Sequence, residues 1–163
     1  MLINIKNKDT LIFDDFRFKC SIGKHGLSTK KMEGDKCTPK GIFSLGPIYY
    51  RSDRVIKPKS KFLIKEIKKN MGWCDDPKSI HYNSEILINK KIGCEKLFRK
   101  DSKYDYILVI KYNTKKKIPY KGSAIFLHLT TNYKPTLGCI ALKKKDFLIL
   151  LKVIKTYTKI KIF

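Results

Sequence analysis

Along most of the chain the apolar residues come in short runs broken by turn-forming residues, not as one long helical stripe. Runs rich in Ile, Phe, Tyr or Val at 2–5, 16–22, 42–50, 61–67, 106–112, 124–129 and 159–163 predict β-strands. The connections between them carry turn chemistry: Gly34, Pro39 and Gly41 in the first long loop, Gly72, Asp76 and Pro77 in the second, Pro119 and Gly122 in the third, Pro135 and Gly138 in the fourth. The period changes only after Asp146, where Phe147, Leu148, Leu150, Leu151 and Ile154 share one helical stripe with Lys152 and Lys155 opposite. This pattern predicts a mainly β fold with one amphipathic helix packed on a sheet. A length of 163 residues suits a single domain, 1–163, with a substantial core.

Composition narrows the class. Apolar residues at 42% with 12% aromatics exclude a disordered chain. The longest apolar runs, such as 147–151, fall far short of the roughly 20 residues that cross a bilayer, so no transmembrane segment is expected. Charges at Lys6, Lys8, Asp9, Asp14 and Asp15 interrupt any stretch that could form the apolar core of a signal peptide. The net charge of +23 invites a nucleic-acid reading, but only four of the 37 basic residues are Arg. Arg supplies the bidentate fork of specific phosphate and base recognition, so a Lys excess predicts a solvated surface and no specific nucleic acid. Residues 106–163 nonetheless carry 13 Lys against the single acid Asp146, which leaves a basic face toward an anionic polymer open. Cys20, Cys37, Cys74, Cys94 and Cys139 include no C-x-x-C pair and no zinc-like spacing. An odd count leaves at least one thiol free in either redox compartment.

The segment 122–142 carries the candidate chemistry. Ala124, Phe126 and His128 share one face of a strand and Ile125, Leu127 and Leu129 the other, so the strand is expected to be buried with His128 as its polar exception. After a loop containing Pro135 and Gly138, a second apolar run begins at Cys139. Paired as neighbours, the two runs place Cys139 beside His128, at the roughly 5 Å of a cross-strand pair. An imidazole there can take the thiol proton and leave a reactive thiolate. Gly138 lets a substrate carbonyl approach the amides around Cys139, which are expected to serve as an oxyanion hole. The same residues also fit a buried structural Cys beside a core His.

The segment resembles the catalytic motif of the L,D-transpeptidase (YkuD-like) family, in which a His on a strand precedes Ser/Thr-x-Gly-Cys. The match is His128, then Thr136, Leu137, Gly138 and Cys139. Upstream, Glu33-Gly34-Asp35 and Thr38-Pro39-Lys40-Gly41-Ile42-Phe43 look like the family's turn-and-strand signature, and 72–77, Tyr82-Asn83 and 123–128 look like a bacterial subgroup. Matching segments run from about Cys20 to the C-terminus. Many members have His where this chain has Leu137 and Arg where it has Ala141, which leaves recognition of a substrate carboxylate unassigned.

The resemblance implies a β-sandwich with a helix after the catalytic Cys, with Cys139 as nucleophile, His128 as base and Gly138 at the oxyanion hole. It implies no metal and no cofactor. The implied activity is L,D-transpeptidation of peptidoglycan stem peptides through a thioester on Cys139. Water in place of the acceptor amine gives an L,D-carboxypeptidase, and a non-catalytic basic polymer-binding module is the alternative of a different class. The implied location is the cell envelope or periplasm, with the cytoplasm as alternative because no signal peptide is visible. Trp73, Asp75, Asp76, Tyr82, Asn83 and Thr136 are expected to line the peptide groove, against an Asx-turn role for the loop around Asp76. Arg99, Tyr104 and Asp105 either support the site or sit on the surface; oligomeric state is left open.

Overall fold

β-Strands dominate the computed structural model, which describes residues 1–163. An antiparallel meander opens the chain: β1 (Leu2–Lys6), β2 (Thr10–Phe13) and β3 (Phe16–Ser21). Asn7 and Lys8 at its first turn and Asp14 at its second take positive φ, the left-handed backbone that tight hairpins need. Two short strands, β4 (Leu27–Ser28) and β5 (Thr38–Pro39), bracket the first long loop, and β6 (Gly41–Tyr50) and β7 (Ile64–Glu66) follow. A separate small sheet, in the order β10-β8-β9, is built from β8 (Met71–Cys74), β9 (Glu85–Leu87) and β10 (Cys94–Lys96). The last third contributes β11 (Tyr106–Ile110), β12 (Phe126–Leu129), β13 (Ile140–Leu142), α1 (Lys144–Val153) and β14 (Lys159–Ile162).

The main sheet runs β11-β12-β13-β3-β2-β1-β14-β6-β7, and β6 pairs again with β11. It therefore closes on itself as a barrel-like ring, where the resemblance had implied a sandwich. The cause is β6, whose first half (41–44) pairs with β14 while its second half (45–50) pairs with β11. Between these halves the register slips at Leu108/Ile110, opposite Gly46-Pro47. A side chain at Gly46 would come within 3.0 Å of the Val109 Cβ, so the strand crosses from one half of the ring to the other where a Cβ is missing.

The closed sheet surrounds the larger core, where Ile3, Leu11, Leu108, Leu127, Ile140 and Phe147 are fully buried. α1 contributes Phe147, Leu150 and Leu151 to that core, and Phe147 stacks on Tyr106 with ring centroids 5.9 Å apart. A second, smaller core lies on the other face of β11 and β12 and contains Tyr49, Trp73, Tyr104, Phe126 and Cys139. β12 is thus sandwiched between two cores, which is why both of its faces are apolar. Its residues Leu127 and Leu129 point into one core and Phe126 into the other.

Several expected elements change length for local reasons. The strand expected at 61–67 shrinks to β7 because β14 occupies 41–44 of β6 and the irregularity at Gly46-Pro47 follows, so pairing with β7 is confined to Ile48–Tyr50. β12 starts at Phe126, two residues late, because Ala124 has φ 51° and leaves the extended region. α1 starts at Lys144, ahead of Asp146; Asp146 in its first turn and Lys152 in its last both complement the helix dipole. No helix is long and apolar enough to cross a membrane.

Phe147→Ala should cost about 3–5 kcal/mol, the usual loss for a buried aromatic. Ile80→Ala, at a position 91% exposed, should stay within about 0.5 kcal/mol. Urea unfolding of both variants measures the contrast.

Candidate active site

β12 and β13 run parallel, with Leu127 opposite Ile140 and His128 opposite Ala141. Cys139 stands one pleat before Ala141 on the same face, a diagonal neighbour of His128 and not its cross-strand partner. The expected side-by-side placement is corrected by strand direction, because the chain leaves β12 at the His128 end and re-enters β13 at the opposite end. No hydrogen bond joins the two side chains. The Cys139 thiol donates to the Ala124 carbonyl at 3.2 Å and accepts the Phe126 N–H at 3.3 Å.

The turn that presents Cys139 is held by two threonine hydroxyls. Thr136 Oγ1 donates to the Cys139 carbonyl at 2.6 Å and accepts the Gly138 N–H at 3.1 Å. Thr38 Oγ1, fully buried, donates to the Gly138 carbonyl at 2.7 Å and accepts the Gly23 N–H at 2.9 Å. Gly138 has φ +138°, and a Cβ there would lie 2.9 Å from the Cys37 carbonyl oxygen, so only glycine fits. Its amide is engaged by Thr136 and does not face the cavity as an oxyanion donor. The amides without a protein acceptor at this turn are those of the exposed Leu137 and of Cys139 itself.

His128 is buried, and its Nδ1 lies 2.9 Å from the Leu129 carbonyl. A carbonyl can only accept, so Nδ1 carries the proton and Nε2 is left as the base. Burial holds the imidazole down at about 4. Burial, followed by the charge of Glu95, pushes the Cys139 thiol up to about 12, while the Phe126 N–H, Lys31 and the Tyr104 hydroxyl pull the other way. The pair therefore rests as neutral thiol and neutral imidazole, where the sequence had suggested a ready thiolate.

Two further groups shape the site. Glu95, delivered by β10, is largely buried, and desolvation raises its carboxyl above the ordinary range. It accepts the hydroxyl of Tyr104, whose ring meets His128 edge-on at 5.3 Å and Phe126 at 6.0 Å. The Arg99 guanidinium lies 5.0 Å over the Tyr104 ring and is gripped by Asp101 at 2.6 and 2.9 Å. Arg99 and Tyr104 support the site, whereas Asp105 pairs with Arg54 at 3.3 Å outside it.

Cys139 and His128 open onto a cavity of about 910 Å³, which Glu95, Asp75, Thr136 and Lys103 also line. Of the expected groove residues, Asp75 and Thr136 are there, while Trp73, Asp76, Tyr82 and Asn83 are not. Trp73 is core: it packs edge-on against Phe126 at 5.1 Å and donates its indole N–H to Asn83 Oδ1 at 2.9 Å. Asn83 also accepts the Ala124 N–H and donates to the Tyr112 and Asn113 carbonyls, so its polar atoms are all engaged. Tyr82 donates to Glu33 and accepts the Gly122 N–H at 3.0 Å. Asp76 closes an Asx turn onto the Lys78 N–H. Tyr82 and Asn83 thus brace the loop that leads into β12, Trp73 holds Asn83 in place, and Asp76 shapes its own turn. Sequence reasoning missed Glu95 and Lys31 at the cavity wall; Lys31 is nearly buried, 2.6 Å from Asp35. A lysine or glutamate in so polar a chain carries no local signal of burial.

The sequence matches the family described as YkuD, L,D-transpeptidase catalytic domain, over residues 1–162. A search of curated proteins finds no significant match. Among solved structures, the fold is similar to Bd1075 of Bdellovibrio bacteriovorus, at 15% identity and a TM-score of 0.49 over 99% of this chain and 46% of that one. It is also similar to an L,D-transpeptidase from Mycobacterium smegmatis, at 11% identity and a TM-score of 0.43 over 99% of this chain and 57% of that one. The chain spans about half the length of each.

In the free protein at neutral pH, iodoacetamide should label the partly exposed Cys37 and Cys94 before Cys139. Glu95→Gln removes a negative charge facing the thiol and should raise the Cys139 rate several-fold; peptide mapping reads both. His128 adds a stability signature. The unfolded chain protonates this ring near 6.5 and the folded one near 4, so the unfolded state binds the extra proton between those values. Its contribution is intact above pH 6.5 and declines as pH falls, by a total on the order of 3 kcal/mol at pH 4. Urea midpoints between pH 7 and 4 should fall less in His128→Gln than in the parent chain.

Proposed function

The chain belongs to the L,D-transpeptidase catalytic domain (YkuD) family, and from that premise we propose that it is a cysteine acyltransferase acting on peptidoglycan stem peptides at the cell envelope. The observation that carries the reading is the tautomer lock on His128. With Nδ1–H held by the Leu129 carbonyl, Nε2 is the only basic nitrogen, in a cavity that also receives the Cys139 thiol.

Because thiol and imidazole rest neutral, proton transfer accompanies attack instead of preceding it. Entry of the peptide displaces water, and the Cys139 proton passes to His128 Nε2 as sulfur bonds to the carbonyl carbon between an L-centred and a D-centred residue. Negative charge then develops on the former carbonyl oxygen, and the unengaged Cys139 N–H is the donor at the nucleophile's own turn. Collapse breaks the C–N bond, the leaving amine of the D-amino acid takes the proton from His128, and a thioester remains on Cys139. An amine from a second stem peptide resolves it to a cross-link; water resolves it to a shortened peptide. Recognition of the substrate carboxylate, left without a cation at Ala141, falls to Lys36, Lys103 and Lys134, cavity residues with no acidic partner.

A carbapenem, an electrophile of the class that acylates this family, should add its mass to the intact protein, and mapping should place it on Cys139. Cys139→Ser should show no stable adduct, and His128→Ala should slow acylation and stem-tetrapeptide turnover by a factor on the order of 10²–10⁴. No adduct and no turnover, with a reduced Cys139, would leave the basic polymer-binding module as the better account.

A further inference from the structure

Cys74 and Cys94 stand directly opposite each other on β8 and β10. The hydrogen bonds around them define the kind of pair. Cys74 turns both backbone groups toward the β9 side, its N–H donating to Ser84 and its carbonyl accepting from Asn83, each at 2.9 Å. Across to β10 the bonds come from the alternate residues, Asp75 N–H to the Gly93 carbonyl and Leu97 N–H to the Met71 carbonyl. Cys74 and Cys94 therefore form a non-hydrogen-bonded antiparallel pair, whose Cα atoms sit about 4.5 Å apart with side chains drawn together. That spacing lies inside the roughly 4.4–6.8 Å range a disulfide spans.

The next residue on the same face of β8 is Gly72, and the Cys94 sulfur lies 2.9 Å from where a Gly72 Cβ would be. The thiol thus rests in space that a missing side chain leaves open, and rotation about its Cα–Cβ bond swings it toward Cys74. Cys94 is partly exposed while Cys74 is fully buried. One sulfur is open to a reagent and the other is shielded behind it. Neither Cys20, opposite Leu142 on β13, nor Cys139, in its turn before β13, has a cysteine across from it.

We propose that Cys74 and Cys94 are a thiol–disulfide exchange site, converted to a cross-strand disulfide by a small-molecule or protein disulfide. The Cys94 thiolate attacks one sulfur of the donor, forming a mixed disulfide and expelling one donor thiolate. Cys74 then attacks the Cys94 sulfur and expels the second. Two electrons pass to the donor disulfide, and the two cysteine protons end on its two thiols. The bond staples β8 to β10, the strand that carries Glu95 to the cavity, and leaves Cys139 as a thiol. It rests on strand register alone and stands whether or not the acyltransfer reading does.

The test uses the full chain in oxidised glutathione at neutral pH, followed by thiol blocking with N-ethylmaleimide and proteolysis without reductant. Two of the five thiols should disappear, a Cys74–Cys94 linked peptide should appear, and Tm should rise by several degrees and return with dithiothreitol. Cys94→Ser, at a partly exposed position, should lose both the link and the rise. Five blocked thiols, a lasting glutathione adduct on Cys94 with Cys74 free, or a different pair would overturn the proposal.

Discussion

The hydroxyl of Thr38 accepts the Gly23 N–H and donates to the carbonyl of Gly138, 100 residues further along the chain. Around that one oxygen the first long loop and the turn before Cys139 become a single unit. Thr136 reinforces it, donating its own N–H to Ile22 and bridging to Gly23. The turn has no secondary structure of its own to hold it, and Gly138 has a backbone conformation that other residues avoid. Without the hydroxyl, a buried carbonyl would lose its partner, a penalty of about 1–3 kcal/mol falling on the residue that precedes the thiol. The position of Cys139 is thus set by a residue far from it in sequence, through packing of the loop 23–38 against the loop 136–139.

Face parity along β12 was legible from the residues, because two apolar faces and a lone His are a property of alternation alone. The Cys139–His128 relationship was not. A loop between two apolar runs is compatible with either strand direction, and only the register decides whether two side chains face each other or stand a pleat apart. The loop around Trp73 misled for a related reason. Aromatic and carboxylate residues in a polar stretch look like a groove, but β8, β9 and β10 are too short to register as strands. It is their sheet that turns Trp73 inward against Phe126. Glu95 was invisible for want of the same sheet. Ring closure depended on β6 serving two neighbours in succession, which a strand pattern does not encode.

Charge is distributed in a way that composition hides. The chain carries an excess of +23, yet the cavity that Cys139 lines also holds a raised carboxyl, a buried tyrosine and a neutral imidazole. Two of the cations on this wall are restrained by their own acids, Lys31 by Asp35 and Arg99 by Asp101, while Lys36, Lys103 and Lys134 line it without an acidic partner. Most of the lysine excess is therefore a property of the solvated shell, while burial keeps the Cys139 thiol and the His128 imidazole themselves neutral.

Closure through β6 also removes most of the free sheet edge. What remains unpaired is short: the outer edges of β4, β5, β7, β9 and β10, strands of two or three residues, several with lysine or glutamate in the row, and the first four residues of β3. A long, flat, unpaired strand is what lets one chain template another, and this molecule offers none. A protein so rich in Ile, Phe and Tyr strands can therefore reach high local concentration without edge-to-edge growth into fibres. Its lysine coat adds repulsion between copies to that geometric protection.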